Sequence, residues 1–154
     1  MDYLAQLVTS FIGSAAFGIL FNAPRESILK CGLVGMLGWI SYFSLTQNGM
    51  EIIPATAIAS TLIAVISQWF AKIYKTPMII FTVGGIIPLV PGGMAYNAMR
   101  HFVQNDYSAA LSLAAKAFLI SGSIAIGLVF SEVLHQILMK MVQRQKERKR
   151  EGVQ

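Results

Sequence analysis

Residues Ile52 to Ala71 read IIPATAIASTLIAVISQWFA, twenty consecutive positions without a charge. A bilayer hydrocarbon core of roughly 30 Å is crossed by about 20 apolar residues rising about 1.5 Å each, so this stretch has the length and chemistry of one span. Working outward, similar runs extend over Tyr3–Phe21, Cys31–Leu45, Met78–Met99 and Tyr107–Ser131, the last carrying Lys116 as its single charge. Backbone polar groups in lipid must be satisfied within the segment, which makes these spans helices. The sequence therefore predicts an all-α integral membrane protein, a bundle of five transmembrane helices near 3–21, 31–45, 52–71, 78–99 and 107–131. With 55% hydrophobic and 12% charged residues, and a mean hydropathy of +0.62, the composition excludes an ordinary soluble domain. The opening Met1-Asp2-Tyr3 has no basic flank and leads into a run longer than a cleavable leader, so the first segment is expected to be a retained span.

Charge placement sets an orientation. Arg25 and Lys30 follow the first span, Glu51 lies after the second, Lys72 and Lys75 follow the third, and Arg100 and Asp106 follow the fourth. Short cytosolic loops are enriched in Lys and Arg, so this alternation predicts an outside N-terminus and a cytosolic C-terminus, with Arg100 as the one exception. Six of the twelve basic residues fall between Lys140 and Arg150. The net charge of +5 is thus a tail and not a nucleic-acid-binding patch. Residues 1–139 form the expected membrane domain and 140–154 a basic cytosolic tail. Leu134, Ile137, Leu138 and Met141 have helical spacing ahead of that tail, which suits either topogenic anchoring beside anionic membrane lipid or a regulatory contact. Tyr42, Trp69, Tyr74 and Tyr107 lie near span ends, where amphipathic rings prefer the interface.

Small residues recur where helices can approach closely. Gly32, Gly35 and Gly38 repeat every third position, and Ser14/Gly18 and Ser123/Gly127 have small-xxx-small spacing. Such spacing serves packing within the chain or against another subunit equally well.

Chemistry concentrates in the fourth segment, whose centre reads Gly84-Gly85-Ile86-Ile87-Pro88-Leu89-Val90-Pro91-Gly92-Gly93. Two prolines remove backbone donors, and the glycine pair permits positive φ, so the helix is expected to stop and restart there. Broken helices in transporters hold substrate or ion, because irregular backbone at membrane depth survives only inside protein or lining a cavity. A second half-helix beginning near Gly93 would turn its amides toward a carboxylate, with Tyr96 and Asn97 one turn along as polar donors. A proline kink or an external loop is the alternative. Lys116, about 13 Å along a helix from Tyr107, is expected near mid-bilayer, either neutralising an anionic substrate or pairing with a carboxylate on a partner helix.

The lone Cys31 makes neither an internal disulfide nor a multi-thiolate metal site, and there is no Gly-rich loop ending in Lys-Ser or Lys-Thr for a nucleotide. His101 and His135 fall on opposite sides of the expected topology, which leaves no zinc site or catalytic triad. No cofactor and no enzymatic activity are expected.

Ile87-Pro88-Leu89-Val90-Pro91-Gly92 followed by Ala95-Tyr96, together with the early turn Phe21-Asn22-Ala23-Pro24, resembles the membrane domain of the threonine/serine exporter (ThrE) family in its short two-subunit form. The resemblance implies export of threonine and serine, or of a dicarboxylate such as succinate, driven by the proton gradient across a bacterial cytoplasmic membrane. It implies a larger membrane subunit of the same family as partner, since the chain looks like the C-terminal half of fused members. Pro88, Pro91, Gly92 and Tyr96 are the positions carried over by motif. Gly93, Asn97 and Lys116 follow from the residue chemistry above. Two functional classes result: a subunit whose broken span lines the transport path, and a scaffold that stabilises a membrane partner.

Overall fold

The computed structural model describes residues 3–151, with side chains described for 3–141, so the basic run Arg144–Arg150 lies outside the described side chains. The chain forms α1 (Tyr3–Leu20), α2 (Arg25–Gln47), α3 (Ile52–Tyr74), α4 (Met78–Ile86), a 3₁₀ turn (Ile87–Leu89), α5 (Gly92–Val103) and α6 (Tyr107–Glu151). Helices α1, α2 and α3 and the Tyr107–Met141 stretch of α6 are each long and apolar enough to cross a membrane, and Met78–Leu89 with Gly92–Val103 qualify together as one bent span. The segments differ from the sequence expectation chiefly at their ends. Helix α2 starts at Arg25 because Pro24, with φ −52°, sits at its N-cap and presets the entry. Helix α6 continues unbroken through 45 residues, about 67 Å, well past Ser131.

Each turn between spans contains one residue in the left-handed region: Asn22 (φ 54°), Gly49 (φ 86°), Lys75 (φ 52°) and Asn105 (φ 62°). Asn and Gly tolerate this conformation and punctuate the turns. Lys75 is the costlier choice, held by its amide donating to the Ala71 carbonyl at the end of α3.

Helix α2 is the centre of the bundle, and its glycines are consumed within the chain. Gly32 faces the Phe11 ring of α1, Gly35 faces Ser14, and Gly38 faces Ile63 of α3. From the other side Gly84 and Gly85 of α4 press on Cys31 and Val34; a Cβ at these two positions would lie 2.9 and 2.7 Å from those side chains. Cys31, Val34, Ala59, Ile63, Phe81, Leu89, Ile120 and Ile124 form the core they enclose. Without a hydrophobic drive between helices in lipid, such close approach supplies the packing energy.

Helices α3 and α6 run parallel. The Ser123 hydroxyl donates to the Ile53 carbonyl (2.6 Å), Thr61 to the Gly127 carbonyl (3.2 Å), and the Gln68 amide to Ser131 and Glu132 (3.4 Å each). Because Ser123 meets α3 at its second residue, the helix from Tyr107 to Ser123, about 24 Å, lies ahead of that level. Helix α5 packs mainly on this part of α6. The two form a hairpin standing past the α2–α3 turn. At the opposite end Lys30 Nζ sits 3.5 Å from the centroid of the Tyr74 ring, which gathers Arg25, Lys30, Lys72 and Lys75 around the α1–α2 and α3–α4 turns. One end of the bundle is basic, and the other carries Glu51.

Candidate functional site: the break in the fourth span

The break follows from missing donors. Pro88 stands four residues after Gly84 and Pro91 four after Ile87, so neither carbonyl receives the usual helical N–H. Val90 donates instead to Ile86 and Ile87 (3.2 Å each), tightening the end of α4 into a 3₁₀ turn. Leu89, 5% exposed, pins that turn into the core, while Val90 (ψ 128°) and Pro91 (ψ 46°) leave helical geometry before α5 restarts at a bend of 52°. Gly92 and Gly93 differ from expectation. Both lie in the first turn of α5, neither has positive φ, and a Cβ at either would meet nothing within 4 Å. The Gly92 amide donates to Val90 (2.8 Å) and the regular ladder begins with Ala95 to Pro91 (3.0 Å), so Gly93 and Met94 present the amides without a backbone acceptor among the described residues. Met94 packs on the core and fixes this turn.

Two dissimilar cavities flank the break. On the Pro88 side, a shallow cleft of about 230 Å³ is lined by Gln6, Thr9 and Ser10 of α1 and Trp39 of α2. The Trp39 indole donates to Gln6 Oε1 (2.8 Å), which fixes the amide. These residues escaped the sequence analysis because α1 was judged by its average apolarity; the polar spacing Gln6, Thr9, Ser10, at i, i+3 and i+4, was the available signal. On the Pro91–Gly92 side an apolar groove of about 730 Å³ runs between α5 and α6, floored by Ala95, Ala98, Ala110, Ala114 and Ala117 and flanked by Phe118.

The outward face of α5 is different again. Gly93, Tyr96, Asn97 and Arg100 recur at i, i+3, i+4 and i+7, all exposed, with Tyr96 at 70%. Arg100, the exception to the basic-loop pattern, thus falls on the same stripe as the expected polar donors. The Asp106 carboxylate accepts from the Ala109 amide (3.2 Å) to cap α6, and its other oxygen lies 3.2 Å from His101 Nδ1.

Lys116 is not midway along the bundle. It lines a cavity of about 560 Å³ with Thr46, Met50, Glu51 and Ile53 around the α2–α3 turn and with Met94 of α5. The expected site residues therefore surround the start of α5 on separate surfaces: Pro88 faces the α1 cavity, Pro91 and Gly92 the groove, Gly93, Tyr96 and Asn97 the outside, and Lys116 the α2–α3 turn. Among the described residues no group of three or more His, Cys, Asp or Glu side chains comes together as a metal site.

No solved structure matches the chain. Residues 6–134 match the family model described as Threonine/Serine exporter, ThrE. That match runs from the polar face of α1 through the break to the α3–α6 contact, and the chain belongs to the threonine/serine exporter (ThrE) family.

Proposed function

We propose that this chain is the small membrane subunit of a two-component secondary exporter for small carboxylate-bearing solutes, threonine and serine or a dicarboxylate such as succinate. The observation that carries this reading is the broken fourth span. Its restart presents two backbone amides and an exposed stripe of Gly93, Tyr96, Asn97 and Arg100 that no other described residue covers. A polar helix face in a membrane requires protein or a water-filled path against it. The larger ThrE-family subunit supplies the opposite wall, and the substrate carboxylate meets the amides and positive dipole end of α5. Pro88 and Pro91 set the bend, Gly92 and Gly93 keep the backbone accessible, Tyr96 and Asn97 supply polar contacts, and Lys116 stands nearby as a cation. Coupling is to the proton gradient, with no enzymatic step.

In this reading the protein is multi-pass in a bacterial cytoplasmic membrane. The basic end of the bundle and the tail from 140 to 154 face the cytosol beside anionic lipid, and the N-terminus lies outside. Efflux of threonine, serine and succinate from cells expressing this chain, the larger subunit, or both tests it. Export only with both subunits is expected. Full export by the larger subunit alone would reduce this chain to a scaffold and overturn the proposal.

A further inference from the structure

Gln6, Ser10, Ser14 and Gly18 recur every four residues along α1, and Asn22 continues the series into the α1–α2 turn, so one polar and small-residue stripe runs about 24 Å along the helix. Two clefts open on this stripe at opposite ends. The cleft of about 230 Å³ at Pro88 includes Gln6, Thr9, Ser10 and Gly13. A second, of about 260 Å³, lies at the basic end, where Gly18, Asn22 and Ala23 meet Ile80, Val83 and Gly84 of α4. Each is several times the ~30 Å³ share of one water. Between the clefts the helices close on Ser14, whose side chain is fully buried and whose hydroxyl has no hydrogen-bond partner among the described residues. That hydroxyl and the Gly84 carbonyl converge beside Gly35 of α2, the carbonyl 3.5 Å from the point where a Gly35 Cβ would stand. The same carbonyl is one that Pro88 leaves without its usual helical donor. A buried hydroxyl with no partner is a standing cost to the fold, and alanine would pack there without it.

We infer that the α1–α4 seam is the proton route of the exporter, with the Ser14 hydroxyl as the relay between waters in the two clefts. The inference rests on the proton-coupled function proposed above and gives that coupling a place in this chain, apart from the outward stripe of α5. A solute has no way past Ser14, since a single carbon added at Gly32, Gly35 or Gly84 already overlaps a neighbouring side chain. A proton needs no such opening. The Ser14 oxygen accepts a proton from water on one side as its own O–H proton passes to water on the other, so the hydroxyl leaves the step unchanged. The two clefts hold no carboxylate and no ammonium. The titratable side chain packed beside Gly84 is Cys31, whose thiol already donates to the Ile80 carbonyl (3.4 Å). A relay connected at all times would dissipate the gradient, and here it is interrupted, because the Ser14 hydroxyl bonds to neither side. The wall opposite Ser14 is α4, the half-helix that ends at the Pro88–Pro91 break, so a shift of that half-helix both connects the relay and moves the restart of the span.

The test uses proteoliposomes containing both subunits, a pH-sensitive dye inside, and labelled threonine, serine or succinate, whichever the wild-type pair carries. Solute exchange at equal concentrations and solute-dependent proton flux are read in parallel, together with the unfolding midpoint of the complex in detergent. Ser14→Ala is expected to cut proton flux about tenfold or more and to leave solute exchange within about twofold, with a midpoint equal to or above that of the wild type because an unpartnered hydroxyl is gone. Gly13→Leu, at a position where a Cβ meets nothing within 4 Å, fills the cleft at Pro88 and is expected to give the same split between proton flux and exchange. Undiminished proton flux in Ser14→Ala would overturn the relay. A joint fall of exchange, proton flux and midpoint would overturn it too, since a merely structural serine gives that result. Wild-type exchange without proton flux would overturn the inference and leave the solute carrier standing. Absence of any solute transport by the wild-type pair would overturn the exporter function, and this inference with it.

Discussion

Glycines in this chain serve opposite purposes: some make room for a neighbouring helix and others face open space. At Gly127 a Cβ would lie 2.6 Å from the Ala57 carbonyl and 3.1 Å from the Thr61 amide, so the α3 backbone itself would have to retreat. At Gly92 the same atom meets open space. Gly127→Ala is expected to destabilise the purified protein by about 1–3 kcal/mol, the usual cost of overpacking, whereas Gly92→Ala is expected to leave thermal unfolding in detergent unchanged. A matching loss in both would contradict the tight α3–α6 seam. The left-handed turn residues give a second contrast. Gly49→Ala, at φ 86°, is expected to lose about 1 kcal/mol, and Lys75→Gly, at φ 52°, to gain a comparable amount, since a left-handed L-residue carries roughly that penalty. Equal unfolding midpoints for both variants and the wild type would remove backbone strain from the account of these turns.

At the scale of elements, the fourth span is two helices because two prolines fall where two carbonyls need donors. Pro88→Ala restores the N–H that Gly84 lacks, and is expected to lengthen α4 at the expense of the 52° bend. Membrane abundance should persist while efflux by the proposed two-subunit exporter falls; undiminished efflux would mean that the bend is a packing feature without a part in transport. That the span breaks was legible in the sequence, since proline and glycine act through the backbone and need no knowledge of neighbours. The neighbours themselves were not legible. Gly32, Gly35 and Gly38 fit a partner subunit as well as their own chain until Phe11, Ser14 and Ile63 are seen against them. Gln6 was hidden inside an apolar average, though it reaches Trp39 beside Pro88. Counting along α6 gives the position of Lys116 on its own helix but not that it stands level with the α2–α3 turn, because α6 begins well ahead of α3. Span number and the break follow from local rules; the surfaces around the break depend on how helices are offset along their axes.

The whole molecule has two unlike ends, and that asymmetry makes its orientation testable. Arg25, Lys30, Lys72 and Lys75 crowd one end around the Lys30–Tyr74 contact, while Glu51 and the projecting α5–α6 hairpin mark the other. The orientation proposed above, with the basic end in the cytosol, follows the positive-inside bias and leaves Arg100, on the exposed stripe of α5, as its exception. Native Cys31 is fully buried, its thiol donating to the Ile80 carbonyl (3.4 Å), and is expected to stay silent to maleimide reagents. Single Asn48→Cys and Glu26→Cys variants, both at exposed positions, then report the two ends separately. A membrane-impermeant maleimide applied to intact cells should label the Asn48→Cys variant, and should reach the Glu26→Cys variant only after permeabilisation. The reverse pattern would invert the protein in its membrane. It would place the α2–α3 turn and the α5–α6 hairpin on the cytosolic side and the basic end outside, against the positive-inside bias.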